Sequence, residues 1–377
     1  MTPPHGRGPG PTVIAGGGTA GHVLPALAVG RALVARGHEP SSVRFVGSRR
    51  GQEATLVPAA GFPVTLLPGR GIVRKFSWPA ITAVAGLTVA FGRAAWLVAR
   101  WRPSAMLSVG GYAAAPCAFA ALLLRVPLVV AEANAVPGAT NRISARWAKA
   151  AAVAFDGTTL PRAVVTGTPV REDVLAVRRD PESRAAARRE LGLPEGRRVI
   201  AVTGGSLGAR TVNTAVLDLA RRWSGRSDVA IHHAIGVRDW PELSRQLPTP
   251  GGRGLDYQAV EYEQRVPALL AAADLWIGRA GGATIAELTT VGVPSVLVPL
   301  PGAPHDHQAV GARRLEGAGG CVVVLDRDCT GERLARVAGD LLDAPGELDR
   351  MATAAAAAGH RDAAERVADL VEEHRRG

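Results

Sequence analysis

With 377 residues, 47% of them hydrophobic, the chain is long enough for about two domains at ~100–200 residues each, and a small disulfide-stapled fold is excluded. Cys117, Cys321 and Cys329 make no even framework and no Cys-x-x-Cys spacing, which argues against structural zinc and fits a reducing compartment. The formal net charge is +11, carried unevenly: residues 1–165 hold 17 basic against 4 acidic side chains (+13), and residues 166–377 hold 27 against 29 (−2). A basic half is expected beside an anionic partner, whether nucleic acid, lipid headgroups or a phosphorylated substrate.

The first ten residues read as a frayed terminus. A short β-type run at 12–15 leads into Gly16-Gly17-Gly18-Thr19-Ala20-Gly21-His22 and then into helical spacing over 26–35. This order is strand, glycine turn, helix. Runs at 43–46, 64–67, 105–108 and 128–130 predict further strands separated by helical stretches, the pattern of a parallel sheet covered on both faces. The apolar stretches 78–92 and 110–124 stop at Arg93 and Arg125, short of the ~20 residues that span a bilayer. With no signal-peptide pattern at the start, a soluble or peripheral protein is expected. The charged segment 171–194 reads as a linker, which puts the domain boundary near 166–195. The same grammar then restarts: a strand at 198–203, a turn at 204–208 and a helix over 209–222. Strands at 230–234, 275–277, 295–298 and 322–325 follow, and 349–376 reads as helical.

Glycines between a strand and a helix let backbone approach a ligand, and the helix start offers free N–H groups to a phosphate. The first loop fits G-x-G-x-x-G as Gly16, Gly18 and Gly21, with Glu39 near the offset of a dinucleotide fold's ribose acid. His22 and Pro25, directly after the third glycine, are bulky for that role. The second loop sets Ser206 beside Gly205, as in a diphosphate cradle. Arg279, Gly281 and Ala283 follow the strand at 275–277, and Glu287 lies early in the next helix, in reach of a ribose diol. His305, Asp306, His307 and Gln308 follow the strand at 295–298, at the end of a parallel strand where open α/β sheets bind ligands. Two histidines at i, i+2 without a third ligand make no metal centre.

Seven segments in order resemble the MurG family, peripheral membrane glycosyltransferases that add N-acetylglucosamine to lipid I in peptidoglycan synthesis: GGGTAGHVLPALAV (16–29), SVGGYAAAP (108–116), EANAVPGATNRIS (132–144), GTPVR (167–171), GGSLGAR (204–210), AADLWIGRAGGATIAEL (272–288) and GVPSVLVPLP (292–301) with DHQ (306–308). The resemblance implies an α/β GT-B fold: Rossmann-like domains at 1–165 and 166–360 facing a cleft, with a C-terminal helix, 361–377, packing back on the first. It implies that Ser206, Gly205 and Arg171 hold the diphosphate of UDP-GlcNAc and Glu287 its ribose. The uracil would lie near Tyr262 and Glu263, with Arg279, Gly281 and Ala283 as a donor wall and His307 and Gln308 on sugar hydroxyls. Gly18, Thr19, Ala20, Gly21, Gly111, Tyr112 and Asn134 would line the side that takes a polyprenyl-diphosphate-linked sugar acceptor. His22 is the candidate base for an inverting displacement in which UDP departs. No cofactor or metal is expected. The apolar and basic residues Ile72, Arg74, Lys75, Phe76 and Trp78 would meet an anionic membrane surface from the cytoplasmic face, which makes nucleic acid the poorer partner for the basic half.

Four positions depart from the family pattern. Ala131 stands where a histidine is common, Leu207 where a glutamine is, Thr168 where Asn or Ile is, and Gly311 where an asparagine is. Each removes hydrogen-bonding capacity, so a related transferase acting on another lipid-linked or antibiotic intermediate is the alternative. A nonhydrolysing UDP-sugar epimerase would need paired cleft carboxylates, and the N-terminal half offers only Glu39, Glu53, Glu132 and Asp156. A silent membrane adaptor would use the basic face without the donor loops.

Overall fold

A computed structural model of the chain describes residues 10–49, 51–68, 78–205, 207–248 and 254–376. The chain divides into two compact units, residues 1–171 with 360–377, and residues 172–359. Residues 166–171 go with the first unit because their backbone continues its sheet edge: Thr166 and Gly167 N–H donate to Val153 O at 3.0 and 3.2 Å. The division therefore falls after Arg171.

The first unit holds seven parallel strands: β1 (Thr12–Ala15), β2 (Val43–Ser48), β3 (Val64–Leu67), β4 (Ala105–Ser108), β5 (Leu128–Glu132), β6 (Ala150–Val153) and β7 (Ala163–Val165), in the order β3-β2-β1-β4-β5-β6-β7. β1 pairs with β2 and β4 at once, Ile14 standing opposite Phe45 and Leu107. Its four residues are all buried, as expected for a central strand covered on both faces. Successive side chains go to opposite cores. Val13 and Ala15 pack with Met106, Leu128 and the helices Trp78–Trp101 and Ala114–Leu123. Ile14 packs with Leu33 of the helix Ala20–Ala35 and with Val367 and Val371 of the helix Ala363–Glu373.

The second unit repeats the plan with six parallel strands: β8 (Arg198–Thr203), β9 (Val229–Ala234), β10 (Asp256–Val260), β11 (Leu275–Arg279), β12 (Ser295–Val298) and β13 (Cys321–Val323), ordered β10-β9-β8-β11-β12-β13. Ile200, Val202, Leu275 and Ile277 face the helices Arg210–Arg222 and Gly331–Asp343.

Three expectations need correction. The charged segment 171–194 is no linker: it carries the helices Glu172–Leu175 and Pro181–Leu191. The longer one has an Asp180 cap that accepts Ser183 N–H at 3.0 Å, Pro181 at its start and left-handed Gly192 past its end, three ordinary helix boundary devices. Its Arg188 reaches the buried carboxylate of Asp274 at 2.8 Å, and Arg184 bonds the same group. Second, 349–376 is two helices, Glu347–Ala357 and Ala363–Glu373. The break falls where Gly359 is pressed against Thr289 O, 2.5 Å from any added Cβ, and where the chain leaves the second unit for the first. Third, three strands, β6, β7 and β10, stand where none was read. The returning helix is tied to the Ala20–Ala35 helix by Arg36 and His38, each 2.9 Å from Glu372.

Candidate active site

In a sheet ordered this way, the connections after β1 and β4 run to opposite sides and leave a crevice at the strand ends, where open α/β sheets take ligands. Here the crevice is closed by backbone alone. Gly17 N–H donates to Gly110 O at 3.1 Å, and a Cβ on Gly111 (φ +84°) would lie 2.2 Å from Gly17 O. Only glycine fits at that point. The helix Ala20–Ala35 starts from Thr19, whose side chain makes no cap bond, and its first turn holds no acidic residue. The start of the helix, with the positive end of its dipole, is thus presented to an anion at the crevice.

His22 lies in that first turn, its Nδ1 3.3 Å from Thr19 Oγ1. With the proton on Nδ1 and donated to Thr19, Nε2 is the acceptor. Behind His22 a pocket is lined by Pro25, Val29, Ala131, Glu132, Thr168 and Val367 among others. Two of the four departures from the family pattern, Ala131 and Thr168, line it. Glu132 is 5% exposed and organises the loop beyond β5. Its carboxylate accepts Asn134 N–H at 3.0 Å and Asn134 Nδ2 at 2.9 Å on one oxygen, and Gly138 N–H at 2.9 Å and Asn141 Nδ2 at 3.0 Å on the other. Asn134 is therefore held by Glu132. Tyr112 is half-buried, donates to Pro68 O at 3.0 Å, and has its pKa raised by burial. Glu39, the formal ribose acid of the dinucleotide pattern, immediately precedes the Pro40–Ser42 turn at the N-terminal end of β2, away from the strand ends that take ligands, so that pattern is coincidental.

In the second unit, the loop after β8 leads into the helix Arg210–Arg222, and Gly281 opens the helix Gly282–Val291 after β11. A pocket lies at these strand ends, lined by Gly205, Tyr262, Glu263, Trp276, Thr284 and Glu287 among others. Glu263 is buried: its carboxylate bonds His232 Nε2 at 2.8 Å and Arg265 N–H at 2.7 Å. Burial pushes its pKa up, and the Arg265 and His232 bonds outweigh this and hold it below the usual range. Its side chain shapes the loop, whose neighbouring backbone borders the pocket. The Arg279 guanidinium pairs with Asp326 at 2.5 Å and donates to Val298 O and Pro299 O at 3.2 and 3.1 Å, clamping the ends of β11 and β12. His307 Nδ1–H donates to Pro304 O at 2.9 Å, which leaves Nε2 an acceptor, and Gln308 Oε1 accepts Leu300 N–H at 2.9 Å, which leaves its NH₂ a donor. That pair suits a sugar diol. His305 and Asp306, both at φ near +50°, set the turn before it. Arg171 closes the first unit. Ala283 lies in the first turn of the helix after Gly281. Ser206, Ile72, Arg74, Lys75 and Phe76 lie outside the described residues, and Trp78 opens the helix Trp78–Trp101. Among the described residues no group of three His, Cys, Asp or Glu could hold a metal ion.

Sequence reading missed a buried set under the second glycine loop. His233 Nε2–H donates to Asn213 Oδ1 at 3.0 Å, and Tyr257 O–H donates to His233 Nδ1 at 2.7 Å. Asn213 Nδ2 donates to Ile235 O at 2.8 Å and Asp239 Oδ2 at 3.0 Å. The available signal was a pair of histidines inside an otherwise apolar strand.

Two doubly wound units, each opening on a glycine turn at a helix start, are the GT-B glycosyltransferase architecture. The N-terminal domain model of glycosyltransferase family 28 matches residues 12–153, and its C-terminal domain model matches residues 199–367. A protein of Clavibacter sepedonicus named "UDP-N-acetylglucosamine--N-acetylmuramyl-(pentapeptide) pyrophosphoryl-undecaprenol N-acetylglucosamine transferase" is 41% identical over 361 residues, 95% of each chain. A protein of the same name from Desulforudis audaxviator is 36% identical, over 96% of this chain and 97% of its own. The crystal structure of Acinetobacter baumannii MurG superposes with a TM-score of 0.76 at 28% identity, covering 96% of this chain and 98% of that one. The chain belongs to glycosyltransferase family 28, among the MurG hexosyltransferases.

Proposed function

We propose that this chain moves N-acetylglucosamine from UDP-GlcNAc to the muramoyl-pentapeptide of a polyprenyl-diphosphate-linked acceptor, lipid I, to give lipid II, with inversion at the sugar C1. The observation that carries this is end-to-end similarity, 41% identity over 95% of both chains, to a protein named for that transfer. The geometry supplies a chemical basis. In the second unit, Glu287 meets the ribose, and His307 Nε2 with the Gln308 NH₂ meets the sugar. Gly205, Ser206, Arg171 and the positive end of the Arg210–Arg222 helix receive the charge of departing UDP. In the first unit, the uncapped helix start after Thr19 takes the acceptor diphosphate, and His22 Nε2 removes the proton from the attacking hydroxyl. No step is assigned to a metal.

The membrane is the second partner. Trp96, Phe119, Leu122, Leu123 and Leu124 are exposed on two helices packed side by side, with exposed Arg93, Arg100 and Arg125 at their edge. Apolar side chains rimmed by arginine suit an anionic lipid surface, so a peripheral position on the cytoplasmic leaflet is proposed for this face and for the segment 72–78. No helix among the described residues is long and apolar enough to cross a membrane.

Transfer is tested by mass spectrometry of products from a panel of UDP-sugars and polyprenyl-diphosphate acceptors, with the anomeric configuration read by NMR. A β-linked N-acetylglucosamine on the muramoyl acceptor is expected. Because Ala131 and Thr168 line the pocket behind His22, transfer only to a different lipid-linked or antibiotic acceptor is the second reading. No transfer to any acceptor would sink both.

A further inference from the structure

The pocket of the second unit contains one group that nothing above uses. Trp276 points from the middle of β11 to the face opposite Leu275 and Ile277 and is 3% exposed. Its Nε1–H is buried and has no hydrogen-bond partner among the described residues. Trp276 and Thr203 both line the pocket, and the nitrogen lies beside the strand ends: a Cβ on Gly278 would be 3.0 Å from it and 2.3 Å from Thr203 O. The absent side chain at 278 is what gives the indole its room. A buried N–H left unpaired costs about 1–3 kcal/mol, and such groups in folded proteins call for an acceptor from elsewhere.

What that acceptor is follows from the walls. Glu261, Glu263 and Glu287 line the pocket together with Val266 and Leu269, and among the described residues no lysine or arginine does. With Glu263 already paired to Arg265 and no cation in the described wall, nothing in this part of the pocket draws a diphosphate. Apolar walls with carboxylates instead suit a flat neutral ring and a diol: the carboxylates and loop backbone accept N–H and O–H groups, and the ring supplies carbonyl oxygens. In such a pocket the sole indole donor faces a ligand rich in carbonyl acceptors.

Resting on the transferase reading, we propose that the Trp276 indole N–H donates a hydrogen bond to a carbonyl oxygen of the donor nucleotide's pyrimidine base, so that Trp276 helps set base affinity. The bond is made equally in the bound ground state and the transition state. It therefore acts on donor binding and leaves the chemical step alone.

The test uses the full chain and Trp276→Phe, which keeps an aromatic ring and removes only the donor end. UDP is the probe in calorimetry, with inorganic pyrophosphate as a second ligand. The expected result is a rise of about fivefold to tenfold in Kd for UDP and in KM for the sugar nucleotide, the worth of one neutral hydrogen bond. Pyrophosphate affinity and kcat at saturating donor stay within twofold. In ¹⁵N-tryptophan-labelled wild-type protein, the indole cross-peak missing from Trp276→Phe shifts downfield on adding UDP, a readout that needs no variant to be active. An unmoved cross-peak, a UDP Kd within twofold of wild type, or an equal loss of pyrophosphate binding overturns the assignment. Wild-type protein that binds no UDP overturns the transferase reading itself, a result distinct from wild type and variant binding UDP alike.

Discussion

Glu132 and Asn141, nine positions apart in the chain, meet at 3.0 Å with the carboxylate accepting the side-chain amide. Asn141 turns its other face to the strand ends: its amide also donates to Ala131 O at 2.9 Å, and its Oδ1 accepts from Ser108 Oγ at 3.2 Å. The pair joins the ends of β4 and β5 to the loop that carries Asn134, so one buried anion fixes one wall of the pocket behind His22.

Glu132→Gln replaces a four-fold acceptor by a group with one acceptor oxygen and one donor nitrogen. At least one backbone or amide N–H then faces another donor in a buried site. A loss of about 2–3 kcal/mol in unfolding free energy is expected, within the range for a buried hydrogen bond to a charged group, read as a lower urea midpoint at unchanged m-value. Stability within 0.5 kcal/mol of wild type would show that the network is not under tension.

Gly111→Ala probes the crevice between β1 and β4. The residue is in the left-handed region, and the new Cβ would stand 2.2 Å from Gly17 O, so the two glycine loops must separate. Strain of this kind costs about 1–3 kcal/mol, and the contact clash adds to it. Transfer is expected to fall at least about 100-fold, because displacement by an ångström is that costly for a reacting geometry. UDP affinity, for which every proposed residue but Arg171 lies in the other unit, should stay within twofold by calorimetry. Equal loss of both would contradict the separate assignment of acceptor and donor.

Much of this geometry was legible beforehand, and the exceptions are instructive. β1 and β8 could be read residue for residue, because parallel strands buried on both faces are short apolar runs ended by glycine. β6 could not: Ala150, Ala151 and Ala152 carry no β preference, and the strand exists because they pair with Val129, Val130 and Ala131. The helix Pro181–Leu191 was hidden by its arginines, which look solvated in sequence; in the fold Arg184 and Arg188 run to Asp274, and Arg188 also to backbone carbonyls. Its Asp-Pro start and glycine stop were there to be read. Around the two pockets, the glycine turns were legible because a turn between strand and helix announces itself. Trp276 and His233 were not, since a large side chain in an apolar strand is indistinguishable from core until its hydrogen bonds are counted.

His233 gives the fold an acid limit. Burial, with neighbouring His232 adding to it, lowers its pKa to about 3, against about 6.5 in an unfolded chain. Between those values the unfolded chain binds the proton and the native one does not. Stability is complete above about pH 6.5 and declines as pH falls toward 3, with a slope for this one group approaching ~1.4 kcal/mol per pH unit. His233→Gln fits Tyr257 and Asn213 less well and should be less stable at pH 7.5. Its urea midpoint should nevertheless change less steeply between pH 6.5 and 4, by about one proton. Parallel pH profiles for the two proteins would rule out His233 as a source of the acid sensitivity.

His22→Ala separates catalysis from binding. If Nε2 takes the acceptor's proton, removing the imidazole costs the general-base contribution, about 10²–10⁴ in kcat, while KM for the sugar nucleotide holds because the proposed donor-side residues other than Arg171 belong to the other unit. His22→Gln keeps a hydrogen-bonding group but no proton acceptor of suitable basicity, so it should resemble the alanine variant. Recovery of most activity by glutamine would instead assign His22 to positioning the substrate. Thr19→Val removes the hydroxyl 3.3 Å from Nδ1 and frees the ring to turn or change tautomer. A smaller fall in kcat, about tenfold, is expected, on the scale of one neutral hydrogen bond. Near-wild-type turnover of His22→Ala would remove His22 from the chemistry and leave the positive end of its helix as the anion-directed feature of the crevice.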